Sequence, residues 1–202
     1  GGFFTFLDRN VGAGRWVVGL SADHGALLAP ETLPQPGESA AGRRATREER
    51  AAVRAIARDA EAMEEAADSA VATKTATALA RLPFVAAAYT HASLLSGLPA
   101  DSFGVLERRS LYPGRAGAEF SRFGVEVRYE EGWMARATGT THGTPYWYDR
   151  HVPMIFLGPG ITAGRDTTRA ATVDFAPTLA RIIGVTPPTD LDGRALVGVV
   201  KP

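Results

Sequence analysis

An aspartate and a histidine stand side by side at the end of a candidate strand near the start of this sequence. Asp23 and His24 follow the apolar run 15–20, which is typical of a buried strand, and precede Gly25, which lets the backbone turn. In open α/β sheets, ligands gather where strands end. A carboxylate oxygen and an imidazole nitrogen suit Zn²⁺, so the pair is a candidate metal site. Taken alone, it fits equally well a capping aspartate beside a histidine that is hydrogen-bonded to backbone.

The composition bounds the class of protein. The chain has 202 residues, of which 45% are hydrophobic and 22% charged, as in one ordinary globular domain. Lys+Arg and Asp+Glu are equal at 22 each, which argues against a basic surface for nucleic acid or membrane. There is no cysteine, so any metal site must use histidine and carboxylates. No apolar run reaches the roughly eighteen residues of a transmembrane helix.

Hydrophobic periodicity predicts alternating helices and strands, and therefore an α/β fold with a mostly parallel sheet flanked by helices. The predicted helices cover 3–11, a segment from the capping box Thr46–Glu49 with apolar positions Val53, Ile56, Ala60, Met63 and Ala67, then 70–81, a short helical or loop piece at 92–98, and 175–183 capped by Asp174. The predicted strands cover 15–21, 84–90, 120–129 and 152–157, and a loop covers 26–45.

A second polar block lies far downstream, where Thr141-His142-Gly143-Thr144-Pro145-Tyr146-Trp147-Tyr148-Asp149 precedes the strand 152–157. Together with Ser21-Ala22-Asp23-His24-Gly25, this block resembles the alkaline phosphatase superfamily. The likeness is to the bacterial branch with a threonine nucleophile, related to the nucleotide pyrophosphatase/phosphodiesterases. Supporting matches lie at 109–115 and 174–184, so that the resemblance covers essentially the whole chain in order.

The resemblance implies an alkaline-phosphatase-like α/β fold and a site with two Zn²⁺ ions for a small phosphate ester. Asp23 and His24 match the pair that holds the metal activating the nucleophile. His142 matches the histidine that completes the other metal, beside the leaving group. Two cations about 4 Å apart can neutralise the entering and departing oxygens of an in-line displacement. No specific nucleic acid partner and no transmembrane segment are expected.

Other parts of the family pattern are expected upstream of Asp23: the threonine nucleophile, a further aspartate and an Asp-x-x-x-His motif. None is found here, and Asp8 receives no role because it lies on the predicted first helix. The resemblance therefore implies that 1–202 is the C-terminal part of one domain, with no catalytic nucleophile of its own and inactive without its N-terminal portion. The family also implies a periplasmic or secreted protein.

Several neighbours of these residues have competing interpretations. Tyr146, Tyr148 and Asp149 are predicted to shape the loop that aims His142, with Asp149 as a supporting partner. The remaining candidates are interpreted as structural: Thr140 and Thr141 as loop formers, His91 and His151 as packed or surface histidines, and Arg109 and Arg115 as parts of a turn rather than as phosphate ligands.

Three functions remain open on these residues. The first is hydrolysis of phosphate monoesters with zinc. The second is a phosphodiesterase or nucleotide pyrophosphatase of the same superfamily. The third is a non-catalytic remnant, against which the retention of both metal-type blocks argues. If the chain is part of a domain, it also exposes strand edges and apolar surface when expressed alone.

Overall fold

Helices outnumber strands in the part of the chain that the computed structural model describes, residues 1–32, 42–63, 68–97, 101–112 and 119–201. The helices are α1 Gly2–Leu7, α2 Arg47–Glu61, α3 Asp68–Leu79, α4 His91–Ser96, α5 Ser102–Ser110, α6 Trp147–Arg150 and α7 Phe175–Ile182. The strands are β1 Val18–Leu20, β2 Arg43–Arg44, β3 Val85–Thr90, β4 Val125–Tyr129, β5 Trp133–Met134 and β6 Ile155–Leu157. None of the described helices is both long and apolar enough to cross a membrane.

Two compact units divide the chain. The outer unit comprises Gly1–Asp23 and His151–Pro202, and the central unit comprises His24–Arg150. Each is described separately below.

Helix α2 of the central unit begins at the predicted capping box. The Glu49 amide donates to the Thr46 hydroxyl (3.1 Å), and the Thr46 amide donates to the Glu49 carboxylate (2.9 Å). These bonds satisfy amide groups that the helix itself leaves without acceptors. Glu49 also accepts from both terminal nitrogens of Arg43 (2.8 Å each) and from the Trp133 indole (3.2 Å). The capping box thus ties α2 to the neighbouring strands β2 and β5.

The core of the central unit lies between α2, α3 and the β3–β4 pair. Its buried residues are Ala45, Val53, Ala57, Ala72, Ala76, Leu79, Phe84, Val85, Phe120, Val125 and Trp133. The Trp133 ring stacks on Tyr129 (centroids 4.1 Å apart) and on Phe84 (5.1 Å). Small alanines on the helices allow this close approach to the sheet.

In the outer unit, β1 pairs with β6 and α7 covers one face of the pair. The Phe156 and Phe175 rings stack at 5.2 Å. A Cβ on Gly19 would lie 2.6 Å from the Phe175 ring, so that a side chain there would push α7 away. On the other face, Leu20 lies opposite Ile155, and both are more than half exposed. The prediction of a buried strand over 15–20 was therefore wrong for this face.

The turn before α7 also differs from its prediction. Asp174 precedes the helix, but its side chain makes no hydrogen bond to the first turn of α7. The buried carboxylate instead accepts from the amides of Ala171 (2.8 Å) and Arg194 (2.9 Å). The hydroxyl of Thr178, which is fully buried, accepts from the Leu196 amide (3.0 Å). Asp174 and Thr178 thus hold the C-terminal tail against α7 rather than capping it.

Helices and strands alternate as predicted, but the strand pairing is not mostly parallel among the described residues. Only β2–β5 is parallel there; β1–β6 and β3–β4 are antiparallel. An apolar run indicates that a strand is covered, but it carries no information about the direction of its partner. The predicted helix over 3–11 is observed as α1 followed by a π-helical segment at Asp8–Gly12, and the helix over 70–81 is observed as α3. Strand β4 is confirmed only from Val125 onward, because a 3₁₀ turn occupies Ser121–Phe123. Three parts of the predictions lie outside the described residues: Ala67, positions 33–41 of the predicted loop 26–45, and positions 113–115.

Candidate metal site in the central unit

His24 opens the central unit on a loop that continues to Leu27. Its Nδ1 lies 2.7 Å from the backbone carbonyl oxygen of Gly25. In the tautomer that carries hydrogen on Nδ1, this nitrogen donates to the carbonyl and Nε2 keeps its lone pair. A metal-binding histidine commonly has this arrangement, because the second nitrogen fixes the ring and the tautomer.

The His142 ring lies directly against the His24 ring. Their centroids are 3.6 Å apart and the planes are inclined by only 12°. The two residues are distant in the sequence, and His142 is exposed while His24 is half buried. The structure therefore brings together two of the three predicted ligands, with both imidazoles at one place on the surface of the central unit.

Backbone contacts join the two loops that carry these histidines. Leu27 and Thr141 form an isolated antiparallel bridge, and the Thr140 hydroxyl donates to the Leu27 carbonyl. The Gly25 amide donates to the Asp149 carbonyl (2.8 Å). A Cβ on Gly25 would overlap the Tyr148 carbonyl oxygen. Thr140 is thus a loop former, as predicted, and Gly25 is required for a close backbone approach rather than for a positive φ.

Asp149 is buried at the base of the His142 loop, with 4% of its surface exposed. One carboxylate oxygen, Oδ2, accepts from the Thr144 amide (2.8 Å) and from the Thr144 hydroxyl (2.7 Å). The other oxygen, Oδ1, is buried and receives no hydrogen bond from the described residues. A buried carboxylate oxygen without a donor is costly, which sets this residue apart from an ordinary loop aspartate.

Tyr146 anchors the same loop to β4. Its hydroxyl donates to the Tyr129 carbonyl (2.6 Å), and its ring stacks on Tyr148 with centroids 5.8 Å apart. Arg128 donates to the Tyr146 hydroxyl (3.2 Å), and its guanidinium lies 4.4 Å from the centroid of the Phe103 ring. These contacts support the predicted role of Tyr146 and Tyr148 in shaping the loop.

A half-buried carboxyl group, that of Glu107, lies beside this arginine. Burial raises the pKa of Glu107 to about 7, the negative charge of Glu126 adds to the increase, and the positive charge of Arg128 opposes it. Glu126 in turn accepts from the Ser121 hydroxyl (2.7 Å) and lies 3.0 Å from His91 Nε2. The interpretation of His91 as a structural histidine is supported by this pairing.

Asp23, the third predicted ligand, is exposed and belongs to the outer unit. The described residues contain no group of three or more His, Cys, Asp or Glu side chains close enough together to hold a metal ion. The donor chemistry nevertheless fits zinc, since two neutral imidazoles and a carboxylate are ligands that it prefers.

The other candidates of the sequence analysis lie elsewhere or are not described. His151 and Arg109 are exposed, and Asp8 accepts from the Trp16 indole (2.9 Å). Arg115 lies outside the described residues.

Comparison with known proteins indicates the family of this chain. The chain is 32% identical over 101 residues to alkaline phosphatase PhoK of Sphingomonas sp, which covers 48% of this chain and 18% of PhoK. The crystal structure of wild-type alkaline phosphatase PafA superimposes with a TM-score of 0.76 and 20% identity over 99% of this chain and 41% of PafA. The chain belongs to the alkaline phosphatase superfamily.

A further protein that is similar to this chain is not named as a phosphatase. A protein of Myroides odoratus named calcium-transporting ATPase is 30% identical over 210 residues, which is 91% of this chain and 36% of that protein. The chain thus spans roughly a third of the length of that relative and less of PhoK. No family model matches the chain.

Sequence reasoning found the histidines but missed the contacts that bring them together. Gly25 was assigned to a turn, and Thr144 received no role. The only available signal was the position of Gly25 directly after His24, and it does not reveal which backbone segment lies against the glycine.

Proposed function

We propose that this protein is a zinc-dependent hydrolase of phosphate monoesters, with Asp23, His24 and His142 as metal ligands. The observation that carries this proposal is the stacking of the His24 and His142 rings at 3.6 Å. Each residue matches a metal-binding position of the alkaline phosphatase superfamily. The relatives named alkaline phosphatases support phosphoester hydrolysis as the reaction.

The residues of this chain would hold the metals and orient them. His24 would bind through Nε2, with Nδ1–H donating to the Gly25 carbonyl, a bond that restrains the orientation of its ring. His142 offers an imidazole from the facing loop, and Asp23 offers a carboxylate. Zinc bound there would supply positive charge to the oxygens that enter and leave the transferred phosphoryl group.

The rest of the active site is assigned to residues that precede this chain in the complete gene product. These are the threonine nucleophile and the remaining metal ligands of the family pattern. The chain matches only 18% of PhoK and 41% of PafA, so both relatives have many residues outside the matched part. In this proposal 1–202 forms the C-terminal part of one domain, the isolated chain is inactive, and the protein acts in the periplasm or outside the cell.

Metal content and substrate preference test the proposal together. The complete gene product, His24→Ala and His142→Ala are analysed by elemental mass spectrometry and assayed with p-nitrophenyl phosphate, bis-p-nitrophenyl phosphate and ATP. His151→Ala is the matched control, since His151 is an exposed histidine of the outer unit. We expect about two zinc ions per chain in the parent protein. In the two site variants we expect zinc to be lost and the rate of monoester hydrolysis to fall more than about 100-fold.

The outcomes separate the alternatives. Faster cleavage of bis-p-nitrophenyl phosphate than of the monoester would replace monoesterase by phosphodiesterase. A folded parent protein with neither zinc nor hydrolysis would identify a non-catalytic remnant. Cell fractionation of the natural host tests the proposed location, and activity confined to the cytoplasm would contradict it.

A further inference from the structure

Asp149 contacts both loops that carry the histidine rings. Its side-chain oxygen Oδ2 binds the amide and the hydroxyl of Thr144, two residues after His142. Its main-chain carbonyl accepts from the amide of Gly25, one residue after His24. The Leu27–Thr141 bridge and the Thr140–Leu27 bond join the same two loops at a second place.

We propose that Asp149 is a positioning residue that fixes His24 and His142 at the separation and orientation in which they bind metal. This inference rests on the proposed two-metal site. The bonds of Asp149 to Thr144 and Gly25 would increase metal affinity because they hold the two histidines in place before the metal binds. Asp149 itself is not proposed as a ligand.

The geometry favours this role over simple loop closure. Thr144 supplies two donors, and one carboxylate oxygen accepts both. A neutral acceptor would therefore close the loop without burying the second oxygen, Oδ1, which has no hydrogen-bond donor among the described residues. A carboxylate kept at this cost can accept two charge-assisted bonds from Thr144 and so stiffen the loop that carries His142.

The Gly25 side of the connection is equally restrictive. The amide donates to Asp149 at 2.8 Å, and the α-carbon lies so close to the Tyr148 carbonyl that no side chain can be added. The separation of the two loops is thus set by backbone contact at one end and by the buried carboxylate at the other. Small changes in such supporting contacts typically weaken metal binding by about 10–100-fold.

The test measures zinc affinity by competition with a chromogenic chelator, which does not depend on turnover. The complete gene product is compared with Asp149→Asn, Thr144→Val and Thr144→Ser. Asp149→Asn keeps one carbonyl oxygen but removes the charge, Thr144→Val removes the hydroxyl donor, and Thr144→Ser retains it. Asp166→Asn is the matched control, because Asp166 is an exposed aspartate that accepts from the nearby Thr168 amide (2.8 Å) and lies in the outer unit.

We expect about 10–100-fold weaker zinc binding in Asp149→Asn and Thr144→Val, with near-parental affinity in Thr144→Ser and Asp166→Asn. Excess zinc should restore hydrolysis in the weakened variants, which a loss of folding would not allow. If Asp149→Asn does not fold, the Thr144 pair decides the question. If the parent binds zinc and Thr144→Val binds it equally tightly, the positioning role of Asp149 is overturned while the proposed function stands. A parent without zinc would overturn the proposed function, and this inference with it.

Discussion

The α-carbon of Gly25 faces the carbonyl oxygen of Tyr148 so closely that a Cβ would overlap that oxygen. The contact joins the loop after His24 to the short helix after His142. It makes Gly25 a determinant of how the two histidine rings meet, although its φ angle is not in the left-handed region.

Gly25→Ala should therefore separate the two loops. We expect a loss of about 1–3 kcal/mol in the free energy of unfolding, the range typical of overpacking, together with weaker zinc binding. Chemical denaturation and chelator competition measure the two effects. Gly97→Ala is the control, because a Cβ at Gly97 meets no atom within 4 Å and its φ of −166° suits any residue. Equal stability and zinc affinity in Gly25→Ala would contradict the close approach.

The capping box of α2 predicts a second, independent loss of stability. Thr46→Ala removes the hydroxyl that accepts from the Glu49 amide, and we expect a cost of about 1 kcal/mol. Thr46→Ser keeps the oxygen and should retain most of the stability. Urea midpoints of the two variants give the comparison, and zinc affinity should not change in either, since the hydroxyl bond that is removed involves neither histidine loop. A serine variant as unstable as the alanine variant would rule out the cap as the cause.

Glu107 predicts a specific dependence of stability on pH. Its folded pKa of about 7 lies above its usual 4.5, so the folded state binds the proton more tightly. The contribution of Glu107 is complete below pH 4.5 and is lost as the pH rises through 7. The difference amounts to at most about 3 kcal/mol.

The variant Glu107→Gln should remove this dependence. We expect Glu107→Gln to match the parent near pH 4.5 and to exceed it in unfolding free energy at pH 8, as measured by urea denaturation. Glu130→Gln, at an exposed position after β4, is the control. If the difference in unfolding free energy between the parent and Glu107→Gln is the same at both pH values, the raised pKa of Glu107 is refuted.

The exposed face of the β1–β6 pair predicts the behaviour of this chain expressed alone. Leu20 is 56% exposed and Ile155, directly opposite, is 52% exposed. We expect the chain to bind a hydrophobic dye and to self-associate, as exposed apolar sheet faces do. Ile155→Thr should reduce both signals, while Val197→Thr, at an exposed position outside the strands, should reduce them less. A monodisperse monomer with a sharp melting transition and no dye binding would contradict this expectation.

The sequence by itself determined the features that depend on neighbouring residues. The capping box of Thr46 and Glu49 involves positions three residues apart, so the motif and the bonds coincide. Helices α2 and α3 follow from periodicity for the same reason. The residue types of Asp23, His24 and His142 indicated metal ligands and, by resemblance, a family.

Only the tertiary structure decided the arrangement of the site. The stacking of His24 on His142 and the bonds of Asp149 to Gly25 and Thr144 join loops that are distant in the chain. Such contacts leave no periodicity, and an apolar run cannot specify the direction of its partner strand or whether its second face is covered. The sequence could therefore indicate candidate ligands, while the close packing of backbone at Gly25 helped to determine how the two histidines meet.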